Sequence, residues 1–260
     1  MKKIITKILA VAVVGAMGLA MAGCAGSGTD AKKLTVEEGK LIMATNAYFP
    51  PYEFYEGDKI VGIDQEIAAE VATRLGLELE IQDIEFDSII TGVQSGKYDI
   101  GCAGMTVTED RLQSVNFTTP YATGIQSVIV KEGSEIVDVD TLLAGDYIVG
   151  VQQGTTGDIY MSDDIGDERV ERFNKGADAV LALTNGQVDA VVIDDQPAQA
   201  FVQANAGLQI LSTSYAVEDY AMCLNKSSEE LLNKINETLA AMKADGTIDA
   251  IIEEYIPSNG

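Results

Sequence analysis

From Lys40 onward, short apolar runs alternate with stretches of helical spacing, and few architectures accommodate that alternation. Leu41-Ile42-Met43-Ala44 is a run of strand length, and Ile63 to Val71 has the spacing of a helix. Gly76 closes that helix, and Leu77 to Ile84 alternates apolar with polar residues. Ile89–Ser95 and Ala177–Leu183 read as further helices, and Tyr98–Ala103, Tyr147–Val151 and Ala190–Ile193 as strands. Two closing helices are expected at Ser228–Lys243, with Ser227 as N-cap, and at Ile248–Tyr255. Repeated βα units predict an α/β protein whose mostly parallel sheets are covered by helices.

An internal echo predicts two lobes of one design. Val93-Gln94-Ser95-Gly96-Lys97-Tyr98-Asp99-Ile100 resembles Leu183-Thr184-Asn185-Gly186-Gln187-Val188-Asp189-Ala190. Each is a helix end, a Gly cap, two residues, an Asp and a strand start. Lys40 to Asn46 is a looser match to Asp146 to Gln152. Between the halves, Ala122–Val130 suits a strand crossing from one lobe to the next, and Val217–Leu224 suits its return. The expected first lobe is therefore discontinuous, 40–121 and 221–260, around a second lobe at 126–216. The hinges fall near Tyr121–Gln126 and Val217–Ala221. Ligands in such folds lie in the crevice at the carboxyl ends of the strands.

The N-terminus carries a different signal. Lys2, Lys3 and Lys7 precede an apolar run, Ile8 to Ala22, that ends in Met21-Ala22-Gly23-Cys24. This is the layout of a secretory signal over 1–23, and a run of about 15 residues is short of the ~20 needed to span a bilayer. The small-small-Cys ending resembles the lipobox of bacterial lipoproteins, which implies cleavage before Cys24 and a lipid on its thiol. Residues 24–39 then read as a tether holding the protein to the outer face of the cell membrane.

Composition removes several functions. The chain has no His, which excludes His-zinc sites, Ser-His-Asp triads and Cys-His dyads. A formal charge of −24 argues against nucleic acid and anionic lipid as partners. Gly-x-Ser-x-Gly is absent, and Gly92 to Lys97 is one residue short of a P-loop and sits at a helix end. No metal or cofactor is expected. Three Cys make no disulfide scaffold; Cys102 and Cys223 are expected as buried free thiols, with a disulfide between them as the alternative.

Chemistry is concentrated at turns after strands. Ala103-Gly104-Met105-Thr106-Val107-Thr108-Glu109-Asp110-Arg111 offers backbone N–H groups, Thr hydroxyls and a guanidinium at a helix start, which makes an anion pocket. The competing reading has Thr108 as a plain N-cap and Arg111 on the surface. Ala44 to Phe54 gathers Tyr48, Phe49, Tyr52 and Phe54, four of the chain's 6 Phe and 10 Tyr. Gln152-Gln153-Gly154-Thr155-Thr156-Gly157 is another strand-to-helix turn. Asp194 and Asp195 end an apolar run, where a cation site and a helix N-cap are both open readings. An anion pocket, a carboxylate and aromatic faces match the three parts of a free amino acid.

The stretches ATNAYFPPYEF, VGIDQEIA, AGMTVTEDR, VGVQQGTTG and DAVVIDDQPA resemble the periplasmic-type solute-binding proteins for polar amino acids, over Leu41 to Pro257. The resemblance implies a two-lobe fold joined by two hinge strands and no enzymatic activity. It implies a monomer that binds a free amino acid and delivers it to the permease of an ABC importer. Arg111, helped by Thr106 and Gly104, would hold the ligand carboxylate, and Asp194 the ammonium. Phe49 and Phe86 would flank the side chain, and Thr156 would add a second-lobe contact to the carboxylate. Asn46, where relatives for cationic or amide side chains often carry Asp, and Gln152 stand at positions that vary with the ligand. A few members of the fold resemble cyclohexadienyl dehydratases, for which Glu53, Asp64 and Glu85 would be the available carboxylates; a sensor that passes ligand occupancy to a receptor is the other alternative.

Overall fold

A computed structural model describes residues 33–212 and 214–257; Cys24 and the expected signal at 1–23 lie outside them. The chain opens with β1 (Lys40–Thr45) and a ribbon of β2 (Tyr48–Phe49), β3 (Glu53–Glu56) and β4 (Lys59–Val61). Next come α1 (Ile63–Leu75), β5 (Glu78–Asp83), α2 (Ile89–Gln94), β6 (Ile100–Gly101), α3 (Glu109–Ser114) and β7 (Val115–Phe117). A long β8 (Ala122–Lys131) leads to α4 (Val139–Ala144), β9 (Val149–Gln152), α5 (Thr156–Ile165), β10 (Val170–Phe173), α6 (Gly176–Asn185) and β11 (Ala190–Asp194). After these follow α7 (Asp195–Ala204), β12 (Leu208–Ile210), β13 (Ala216–Tyr220), β14 (Cys223–Asn225), α8 (Glu229–Ala244) and α9 (Thr247–Tyr255).

Two sheets form the two lobes. The first has the order β5-β1-β6-β14-β7, with β1 parallel to β5 and β6. The second runs β10-β9-β11-β8-β12, with β9 parallel to its neighbours and β8 antiparallel to β11, β12 and β13. β1 is buried over Leu41–Thr45, and β11 along its whole length. Burial on both faces explains why these strands read as unbroken apolar runs. The chain crosses between the sheets twice, from β7 into β8 and from β13 into β14. The two crossings pair antiparallel, with Ala122 opposite Tyr220.

The echo in the sequence is a repeated structural device. Gly96 and Gly186 both take left-handed backbone, φ 74° and 76°, at the ends of α2 and α6. The Asp that follows each then grips the start of the neighbouring strand. Asp99 accepts the Ile42 N–H at 2.7 Å, and Asp189 accepts the Ile148 N–H at 2.8 Å.

Several expectations need correction. Val217–Leu224 is not one strand: β13 belongs to the second sheet and β14 to the first, with a break at Ala221 and Met222 where the chain changes sheets. The strand expected at Tyr98–Ala103 shrinks to β6, although the Asp99 and Cys102 N–H groups on either side still donate to the Ile42 and Ala44 carbonyls of β1. α8 starts after Ser228 rather than Ser227, whose hydroxyl donates to Asn225 Oδ1 instead. The tether expected over 24–39 is too long: Thr35 is buried, and the Val36 N–H donates to Asp99 Oδ1.

Candidate functional site

Strand ends and helix starts converge on one cleft. Asn46 follows β1, Gln152 ends β9 and Asp194 ends β11, while Thr156 opens α5 and Arg111 is the third residue of α3. Together with Phe49, Phe86, Gly104 and Thr106 they line a single cleft, so the nine residues singled out in the sequence share one site. It encloses about 320 Å³ of empty space, its open mouth included.

Arg111 is only 7% exposed, so the surface reading of this residue fails. Thr108 does cap α3, its hydroxyl accepting the Arg111 N–H at 3.2 Å. The guanidinium lies 5.5 Å from the centre of the Phe86 ring. One nitrogen donates to the Thr106 carbonyl at 2.7 Å, and another to the Gly154 carbonyl at 3.0 Å. Among the described residues it makes no ion pair. Burial pulls its pKa below the usual arginine value, against the pull of Glu218 and Asp194. A buried cation without a carboxylate is costly, and an anion in the cleft offsets that cost.

Asp194 supplies the opposite charge. It is buried and accepts from the Tyr220 hydroxyl. Burial, reinforced by Glu218, pushes its pKa up to about 7. Thr156 is fixed differently: its hydroxyl donates to Glu218 Oε2 at 2.9 Å. With its hydrogen so used, the hydroxyl faces other groups as an acceptor, and the backbone N–H at the start of α5 remains as the donor.

The Gly104 N–H is not free for an anion either, contrary to the expectation for that turn. It donates to Asp64 Oδ2 at 2.7 Å. Its φ of 51° and a Phe49 ring atom 2.8 Å from any added Cβ leave room for Gly alone. Asn46 and Gln152 meet across the cleft, Gln152 Nε2 donating to Asn46 Oδ1 at 2.9 Å. Asn46 Nδ2 in turn donates to the Ile84 carbonyl at 2.8 Å. Lys175 Nζ sits 3.5 Å from the centre of the Tyr48 ring, a further contact between the lobes. Of the other carboxylates considered, Glu53 lines the cleft, Asp64 lies buried behind it, and Glu85 is exposed. No group of His, Cys, Asp or Glu among the described residues could hold a metal ion.

Residues 41–258 match the bacterial extracellular solute-binding proteins, family 3. The chain belongs to that family. The arginine-binding extracellular protein ArtP of Bacillus subtilis (strain 168) is 31% identical to this solute-binding protein over 253 residues. The match covers 95% of this chain and 96% of the relative. An ancestral arginine-binding protein bound to glutamine superposes with a TM-score of 0.80 at 37% identity, over 85% of this chain and 100% of its own. An ancestral amino-acid-binding protein described as a precursor of cyclohexadienyl dehydratase gives 0.77 at 30% identity, over 84% of this chain and 95% of its own.

Sequence reasoning missed the supports of this solute-binding site. Glu218 accepts from Gln126 Nε2 and the Thr156 hydroxyl, both at 2.9 Å, and from the Tyr160 hydroxyl at 2.8 Å. Glu218 and Tyr220 are the buried positions of a strand that alternates from Val217 onward, so both point to one face. That alternation was the available signal.

Proposed function

We propose that this solute-binding protein captures a free α-amino acid outside the cytoplasmic membrane and delivers it to the transmembrane subunits of an ABC importer. The observation that carries the reading is Arg111, a buried guanidinium without an acidic partner among the described residues, in a cleft that also holds Asp194. The ligand carboxylate pairs with Arg111 and takes the N–H at the start of α5, with Thr106 beside it. The ammonium pairs with Asp194. The side chain lies between Phe49 and Phe86, with Asn46 and Gln152 at its far end. Arginine in the name of one relative and glutamine in another's structure support the amino-acid class.

Contacts from both lobes favour a clamp. A zwitterion touching Arg111 in the first and Asp194 in the second stabilises the closed state by its differential affinity. The first lobe is 40–121 with 221–260, the second 126–216, and both contribute from one chain, so the protein works as a monomer. Lipid on Cys24 holds it at the membrane. A thermal-shift and calorimetric screen of the twenty amino acids tests the reading. At least one should stabilise the protein and bind with one-to-one stoichiometry, and binding of none overturns it. Small-angle scattering should show compaction on saturation; identical profiles would remove the clamp.

A second reading, elimination of water from a bound acid, draws on the dehydratase precursor and on the Glu53 carboxyl in the cleft. Formation of a conjugated product from cyclohexadienyl acids is the assay, and catalytic turnover would replace transport by catalysis.

A further inference from the structure

Glu53, first residue of β3, and Asp64, second residue of α1, are 1% and 0% exposed, and the Asp64 N–H donates to the carbonyl of Tyr52 at 2.9 Å, which brings the two carboxyls side by side. Asp64 Oδ2 accepts the Gly104 N–H at 2.7 Å. Each carboxyl has one buried oxygen without a donor, Glu53 Oε2 and Asp64 Oδ1. Two ionised carboxylates cannot share such a site cheaply, because each loses water and repels the other. A single proton between them removes one charge and gives the pair its donor.

The surroundings decide where that proton rests. Asp64 has the Gly104 N–H, and the Tyr121 hydroxyl and Cys102 thiol lie against it, all favouring its ionised form. Glu53 has no such donor and also faces the negative Asp194. Tyr52, Tyr121 and Cys102 are all driven toward their neutral forms by burial, and the charged groups that act on Glu53 are both acids, Asp64 and Asp194. Burial raises both carboxyl pKa values, and Asp64 and Asp194 raise that of Glu53 further.

We propose that Glu53 and Asp64 hold one proton between them, carried by Glu53, and that the pair positions the cleft: anionic Asp64 clamps the Gly104 N–H and so fixes the turn that sets Gly104 and Thr106 in the cleft wall. This positioning role rests on the reading of the cleft as an amino-acid site. Neutral Glu53 also leaves the cleft wall with one cation, Arg111, and one anion, Asp194, which matches the two charges of a zwitterion.

Infrared spectroscopy of the unliganded protein at pH 9 tests the pair directly, since exposed carboxyls are ionised there and Asp194, with its pKa raised to about 7, is nearly all ionised. A neutral carboxylic C=O band is expected in the wild type and is lost in Glu53→Gln. The amide keeps a donor to Asp64 that Glu53→Leu removes, so affinity for the strongest binder of the twenty amino acids should fall at least about tenfold further in Glu53→Leu than in Glu53→Gln. No neutral band in the wild type, a band that persists in Glu53→Gln, or equal affinities in Glu53→Gln and Glu53→Leu overturns the proposal. The wild-type band needs no variant, so a misfolded Glu53→Gln does not remove the test. If the wild type binds none of the twenty, the positioning role falls with the reading of the cleft, whatever the band shows. An absent band overturns the shared proton alone and leaves that reading standing.

Discussion

The Tyr220 hydroxyl, on the strand about to return to the first sheet, donates to the Asp194 carboxylate at the end of β11. The acid of the second lobe is thus held by a residue at the crossing. Tyr220→Phe removes a bond that lowers the Asp194 pKa, so more of the acid is neutral at pH 7. Affinity for the ammonium should fall about tenfold or more at pH 7, and part of it should return at higher pH. Calorimetry of both proteins at pH 7 and pH 8.5 reads this, and a loss independent of pH would detach the bond from ionisation.

The stability of the unliganded protein should fall as pH rises. Asp64 and Asp194 have folded pKa values raised to about 6 and about 7, above those of the unfolded chain. Groups raised in this way contribute stability that is fully present below about pH 4 and is lost as pH passes through 6 and 7. Saturating amino acid should flatten the upper part of that decline, because an ammonium beside Asp194 restores its charged form. Melting curves from pH 4.5 to 8, with and without ligand, check the sign.

Arg111→Ala should cost more than about a hundredfold in amino-acid affinity, near 3 kcal/mol, since a ligand carboxylate would then be buried without its partner. The unliganded fold should hold or gain stability, because the substitution removes an unpaired buried cation. Unchanged affinity in calorimetry would take Arg111 out of the site.

Gly104→Ala should damage both fold and binding. The left-handed backbone and the clash with the Phe49 ring together predict about 1–3 kcal/mol of destabilisation. Chemical denaturation of the two proteins gives the difference directly.

Cys102 and Cys223 are free and buried, as the sequence suggested. Burial pushes the Cys223 thiol up to about 12 and that of Cys102 well above its usual value. Neither should react with an alkylating agent until the protein unfolds. In protein lacking Cys24, native mass spectra should show no adduct, and denatured spectra two.

The fold was legible where its signals are local. Gly76, Gly96 and Gly186 announce helix ends because positive φ is a property of single residues, and β1 and β11 announce themselves by length and apolarity. The break at Ala221–Met222 left no mark, since a strand that changes sheets needs no turn residue. The nine cleft residues share a wall, yet the bonding of several was not legible. Spacing puts Arg111 at a helix start but says nothing of the Phe86 ring and the Gly154 carbonyl that bury it. Likewise, the Gly104 N–H looked free only because Asp64, forty residues earlier, was invisible to a local reading.

One strand's two-residue rhythm carries a constraint on how such a protein can change. Glu218 and Tyr220 hold Thr156 and Asp194 from the same face of β13, two residues apart. Substitutions around the cleft mouth alter one contact at a time. Inserting or deleting a single residue just before Glu218 would instead turn both supports outward together, disarming both second-lobe contacts in one step. Ligand preference can therefore drift by point substitution, while the length of this crossing is closed to variation.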